Sequence, residues 1–233
     1  MSIRFVLFDR HPDLPGLWRE AFETLVPQEC RNRVTIVQTQ RDFEALNIKF
    51  DCVVSPANSF GKFDGGFDQI LSDTLAPADD SDALTRAAQA VLYKRWRGYA
   101  PPGTCTLIPL AGTPCAANRF DCRFVALCPT MRFPGSVTWH KEIVYNCVWS
   151  LLVEIDAHNA VTSGETGTER IETVVMTGLA AGTGAYSPRE CAKQTALAFA
   201  HFEEASANPE KWAALTWGDI VRMPLNPRLP SEE

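Results

Sequence analysis

Residues 51–68, DCVVSPANSFGKFDGGFD, begin as a buried strand and then break into a turn-rich run. Cys52–Ser55 is apolar and β-branched, whereas Pro56, Asn58, Ser59, Gly61, Asp64, Gly65, Gly66 and Asp68 crowd the positions that follow. A strand that runs through such a loop into the helical pattern GFDQILSD is the repeating unit of a layered α/β fold. Gly65-Gly66 lets a ligand approach the backbone with no Cβ in the way. Asn58 offers both donors and an acceptor, and Asp64 and Asp68 place carboxylates near the helix start. The alternative is a plain β-to-α turn in which one aspartate caps the helix. The residues of this segment leave both readings open.

Outward from this segment, similar β-rich runs recur at 3–8, 34–38, 105–110, 123–128 and 172–177. Helical patterns lie between several of them. Ala83–Trp96 carries Leu84, Ala88, Val91 and Leu92 and stops before GYAPPG, which cannot continue a helix. Glu142–Asp156 spaces Val144, Cys147, Val148, Leu151, Leu152 and Ile155 as a core-facing stripe. Strands alternating with helices predict one α/β domain over residues 1–233, a three-layer α/β/α fold with a central mixed sheet. Residues 158–170 read as an exposed connection and residues 221–233 as a C-terminal tail. In such folds ligands sit beyond the carboxyl ends of the strands, where loops meet helix N-termini.

Composition narrows the function classes. Lys plus Arg is 22 against 28 Asp plus Glu, a net charge of -6. That balance argues against broad nucleic-acid or membrane-surface binding and leaves room for a small basic patch that holds phosphates. No apolar run reaches membrane-spanning length, and residues 1–18 lack the features of a secretory signal. The 8 cysteines form no CxxC pair and sit mostly in apolar runs, where a free thiol behaves as a small hydrophobe. These features predict an intracellular protein, cytoplasmic or nuclear, with reduced thiols and no metal site. His11, His140, His158 and His201 form no metal-spaced cluster, and the tryptophans form no stacking stripe.

A second loop, TGLAAGTGAYSPRECAKQTALAFAHF, follows the run ending at Met176. Gly178, Gly182 and Gly184 punctuate it, and Ser187, Pro188 and Glu190 predict a capping box with proline at the first helical position. Ala192, Ala196, Phe199 and Phe202 then mark a buried helix face. A glycine-rich loop opening a helix aims free N–H groups at an anion, here a diphosphate. The T-G-x-x-x-G-x-G spacing also fits short-chain dehydrogenases, but it lies far from the chain start and no tyrosine has a lysine four residues on. A Walker loop fails for want of Gly-Lys-Ser/Thr. Cys191, in the first helical turn, is better explained by the buried stripe than as a nucleophile.

Together the two loops resemble the macrodomain family of ADP-ribose-binding modules. In that family a strand enters an (I/V)VNAAN…GGGVD segment, and a later strand enters a G-x-G-T-G-x-x-G loop before a helix. VVSPANSFGKFDGGFD and GLAAGTGAYSP occupy those places in that order, and FVALCPTMRFPG resembles the strand and loop between them. The resemblance covers roughly residues 30–205. It departs from the family pattern at Ser55, Pro56 and the shortened Asp64-Gly65-Gly66.

The resemblance implies roles by position. Asn58 would bind the distal ribose, and Ser59, Asp64, Gly65 and Gly66 would line the ribose-facing loop. Asp68 stands where the aspartate implicated in hydrolysis stands. Gly182, Thr183, Gly184 and Ala185 would give N–H groups to the diphosphate, and Tyr186 would cover the distal ribose. Asp42 and Gln40 compete for the adenine-contacting position. Apart from the resemblance, Arg132 in PTMRFPG is placed to reach a phosphate or pair with a carboxylate. The implied activity is binding of ADP-ribose and hydrolysis from ADP-ribosylated protein or O-acetyl-ADP-ribose. A water activated by Asp68 and Asn58 would act without metal or cofactor. A non-catalytic ADP-ribose reader and an interaction scaffold are the alternatives. The expected partner is ADP-ribose or an ADP-ribosylated protein, with no membrane and no sequence-specific nucleic acid.

Overall fold

The computed structural model describes residues 3–39, 46–162 and 170–223. Six strands form where the sequence predicts them: β1 (Arg4–Asp9), β2 (Val34–Gln38), β3 (Cys52–Ser55), β4 (Thr106–Pro109), β5 (Phe124–Leu127) and β6 (Thr173–Met176). They make one sheet in the order β2-β1-β6-β3-β5-β4. Every neighbour pair is parallel except the edge strand β4, which runs antiparallel to β5. The sheet is therefore mixed.

Eight helices cover it among the described residues: α1 (Leu14–Leu25), α2 (Gln28–Arg31), α3 (Gly66–Leu75), α4 (Ala83–Trp96), α5 (Ile143–Thr162), α6 (Pro188–Ala207), α7 (Pro209–Trp212) and α8 (Trp217–Arg222). Strand alternation assigns them to two layers. Cys52 and Val54 of β3 and Val174 and Met176 of β6 join one core with Trp18 of α1, Leu151 of α5 and Phe199 of α6. Val53 and Val175 face the opposite core with Leu71 of α3 and Leu84 and Leu92 of α4. Each of β3, β5 and β6 is buried along its whole length, as a strand covered on both faces must be. Phe5 and Phe199 meet edge to face at 4.8 Å and lock β1 to α6.

The predicted α4 limits hold, and the α5 stripe is fully buried. All eight cysteines are free and buried, as small hydrophobes. Among the described residues no helix is long and apolar enough to cross a membrane. Ser187 does stand at the N-cap of α6 with Pro188 behind it, but its side chain makes no cap hydrogen bond. Glu190 lies 3.6 Å from the Lys193 ammonium. The box expected there occurs instead at Thr216 and Asp219, at the start of α8. Val221 and Arg222 are the last residues of α8, and residues 224–233 of the expected tail lie outside the described residues. Gln40, Asp42 and most of the 158–170 connection lie outside the described residues.

Candidate functional site

Because β1, β3 and β6 are parallel neighbours, their carboxyl ends open on one edge of the sheet. A cleft of about 530 Å³ lies there. The loop after β3 supplies Pro56, Asn58, Lys62, Asp64, Gly65 and Gly66, and α3 adds Phe67, Asp68 and Ile70. The loop after β6 faces it with Thr177, Gly178 and Ala180–Gly184. Two motifs more than a hundred residues apart in sequence thus form one concavity, of the size that small ligands use.

Asp68 lies in the first turn of α3 and is only 7% exposed. It does not cap the helix. Its Oδ1 accepts a 2.7 Å hydrogen bond from Ser55 Oγ at the end of β3. Burial drives its pKa up to about 7; the Ser55 hydroxyl opposes that rise and the nearby Asp64 charge adds to it. Near neutral pH this carboxyl group both takes and returns a proton, the property of a general base. Gly66 opens α3 at φ 58, a left-handed conformation that suits glycine, and Asp68 lines the cleft from the turn that follows.

Asn58 also lines the cleft, with most of its amide committed. Oδ1 accepts the N–H groups of Phe60 and Lys62, and Nδ2 donates to the Lys62 carbonyl at 2.8 Å. One amide N–H remains to meet a ligand. Ser59 is fully buried outside the cleft lining, where its Oγ donates to the Met131 carbonyl at 3.2 Å. Its work is to tie the β3 loop to the β5 loop, an attachment extended by the Asn58–Met131 bridge. Thr130, Met131 and Pro134 of that β5 loop form another part of the wall.

The loop after β6 is folded for backbone exposure. Among the described residues the N–H groups of Gly182, Thr183 and Gly184 find no acceptor, so they are available to an anion. A Cβ on Gly184 would come within 2.5 Å of the Ala180 carbonyl oxygen, so the turn closes only around glycine. The Ala185 N–H is not available, because it closes the turn onto the Gly182 carbonyl. Tyr186 points away from the cleft. Its ring is buried, and its hydroxyl donates to the Lys141 carbonyl at 2.7 Å beside Gln194. Ala185 and Tyr186 therefore shape the loop from behind. Arg132 is exposed outside the cleft, with its guanidinium 5.9 Å from the Tyr99 ring centroid.

A further wall has no signal in the two glycine motifs. Phe8, Asp9, Arg10 and His11 enter the cleft from the end of β1. Asp9 accepts from the His11 N–H, the Thr177 hydroxyl and the Gly178 N–H, all within 2.9 Å. The strand-end rule applied to β1 would have found these residues. Cys191, by contrast, is fully buried, bonds the Leu179 carbonyl and has its thiol pushed up to about 12 by burial. It is inert. Among the described residues no group of three His, Cys, Asp or Glu side chains is placed to hold a metal.

No protein-family model and no curated protein matches this sequence. Solved structures do match. A point mutant of the Oceanobacillus iheyensis macrodomain with ADPR superposes at a TM-score of 0.51 and 15% identity, covering 69% of this chain and 75% of that one. A second mutant of the same macrodomain gives 0.50 and 15%, over 69% of this chain and 71% of that one. At this identity what is shared is architecture, and the chain has the macrodomain fold.

Proposed function

We propose that this protein binds ADP-ribose in the cleft and hydrolyses it from an ADP-ribosylated protein or from O-acetyl-ADP-ribose. The observation that carries the reading is the pairing of unfilled Gly182–Gly184 N–H groups with a buried Asp68 across one cavity. The N–H groups suit a diphosphate. Asp68 suits a water held over the distal ribose. Ionised Asp68 takes the water proton as the oxygen attacks C1″ or the ester carbonyl, and then returns that proton to the departing oxygen. Positioning within the cleft supplies much of the rate. The ligand bound to the Oceanobacillus iheyensis macrodomain supports the choice of nucleotide.

A non-catalytic reader is the second reading. It is favoured by the committed Asn58 amide, which leaves a single N–H for orienting substrate. Two measurements test them, the second deciding between them. Calorimetry with ADP-ribose gives saturable binding under either reading, and absence of heat at millimolar ligand removes both. Release of ADP-ribose from a modified protein, abolished in Asp68→Ala while binding persists, marks the enzyme. Undiminished turnover in that variant would remove the catalytic role.

A further inference from the structure

Behind the loop after β6, three segments meet at one buried amide. Gln194 lies in the second turn of α6 and is 5% exposed. Its Nε2 donates at 2.6 Å to the Lys141 carbonyl, where the loop after β5 runs into α5, and at 2.7 Å to the Tyr186 hydroxyl. Its Oε1 accepts the Tyr145 N–H at 3.0 Å, one of the first-turn donors of α5 that the helix itself cannot satisfy. The Tyr186 hydroxyl donates in turn to the same Lys141 carbonyl. Both amide hydrogens and the amide oxygen of Gln194 are thus in use.

The turn in front of this network is one that has to be held. Ala180 and Ala185 bound the exposed N–H groups of Gly182–Gly184 and stand at φ 60 and φ 54. An L-residue other than glycine keeps that left-handed conformation only where its surroundings impose it. The Tyr186 N–H donates to the Ala180 carbonyl and the Ala185 N–H to the Gly182 carbonyl, so the turn closes at Tyr186. The Tyr186 side chain leads from that closure to Gln194. From the other side the Val137 N–H donates to the Gly184 carbonyl, so the loop that ends at Lys141 grips the turn directly.

We infer that Gln194 is a positioning residue for the diphosphate: through the Tyr186 hydroxyl and the Lys141 carbonyl it holds the Gly182–Gly184 N–H groups in the arrangement that receives an anion. The inference rests on the cleft being an ADP-ribose site. Gln194 stands behind the loop and is no part of the cleft lining. Glutamate has the same shape, but when ionised it has no hydrogen to give and sets a carboxylate against the Lys141 carbonyl oxygen. Its protonated form restores that donor and keeps a carbonyl for the Tyr145 N–H. Burial and the charges of Glu142 on α5 and Glu190 on α6, which both act on Tyr186, favour the protonated form. Lys193 lies beside Glu190, and burial holds His201, bonded to the Tyr145 hydroxyl, towards its neutral form.

The test is calorimetry with ADP-ribose on the parent, Gln194→Glu and Tyr186→Phe at pH 8 and pH 5, with urea unfolding of the same samples to show that each is folded. At pH 8 both variants bind about tenfold more weakly than the parent, the effect of losing one hydrogen bond from the network. At pH 5 Gln194→Glu returns to the parent's affinity at that pH, whereas Tyr186→Phe, which has no group to protonate, stays weak. Comparison with the parent at each pH cancels the titration of Asp68. Parental affinity in either variant at pH 8, or a deficit in Gln194→Glu that ignores pH, overturns the inference and spares the cleft reading, because the parent still binds. If Gln194→Glu does not fold, Tyr186→Phe decides: parental affinity overturns the inference and a tenfold loss supports it. No heat from the parent at millimolar ADP-ribose removes the cleft reading, and the role of Gln194 falls with it.

Discussion

Two aspartates face the same cleft and are held in opposite ways. Asp9 receives three hydrogen bonds, two of them from backbone N–H groups, and through them joins β1 to the loop after β6. Asp68 receives one, from Ser55, and is otherwise buried with Asp64 as a like charge nearby. The first is a satisfied carboxylate spent on structure. The second is under-satisfied, and its proton is poised near neutral pH. The raised pKa of Asp68 therefore follows from what its carboxyl group lacks.

Exchanging function for stability breaks the comparison most directly. Asp68→Asn keeps an acceptor for Ser55 but has no base, and turnover falls by roughly 10²–10⁴-fold, measured as ADP-ribose release. Asp9→Ala leaves the Gly178 N–H and its companions without an acceptor. It costs about 2–4 kcal/mol in urea unfolding. If Asp9→Ala leaves stability untouched, the division of labour is wrong.

The pH dependence sharpens the same contrast. The folded pKa of Asp68, about 7, lies above its unfolded value of ~3.9, so protonation favours the folded state. The resulting stability is fully present below about pH 4 and lost as pH rises through about 7. Asp68→Asn removes this dependence. That variant is more stable than the parent at pH 8 by up to about 4 kcal/mol, and the gain fades towards pH 4. Unfolding at pH 5 and pH 8 checks it, and a pH-independent difference contradicts the buried, ionising Asp68.

The sheet was legible because its strands are short apolar runs bounded by turn residues, and both cleft loops were legible because glycine is conspicuous. Three features were not. Helix α1 escaped because Pro15 and Gly16 look like breakers, although proline is at home in a first helical turn. The Asp9 wall carries no glycine signature and reaches the cleft only because β1 pairs with β6. The place of Tyr186 depends on the turn closed by the Ala185 N–H, and motif order alone does not reveal which way a ring leaves such a turn.

The smallest change tests the single hydrogen bond on which the comparison turns. Ser55→Ala leaves the strand pairing of β3 intact and removes the one donor that favours ionised Asp68. The carboxyl pKa then rises further, because burial and Asp64 are left unopposed. In the parent, kcat/KM climbs with pH through about 7, since the base must be ionised. In Ser55→Ala the climb shifts to higher pH by about 1 unit, the size of a charge-assisted hydrogen bond, with the high-pH plateau preserved. A loss of plateau activity with an unmoved midpoint would mean that Ser55 merely packs beneath Asp68. A moved midpoint means that Ser55 sets where Asp68 titrates, as the Thr177 hydroxyl and two backbone N–H groups hold Asp9 in its structural place.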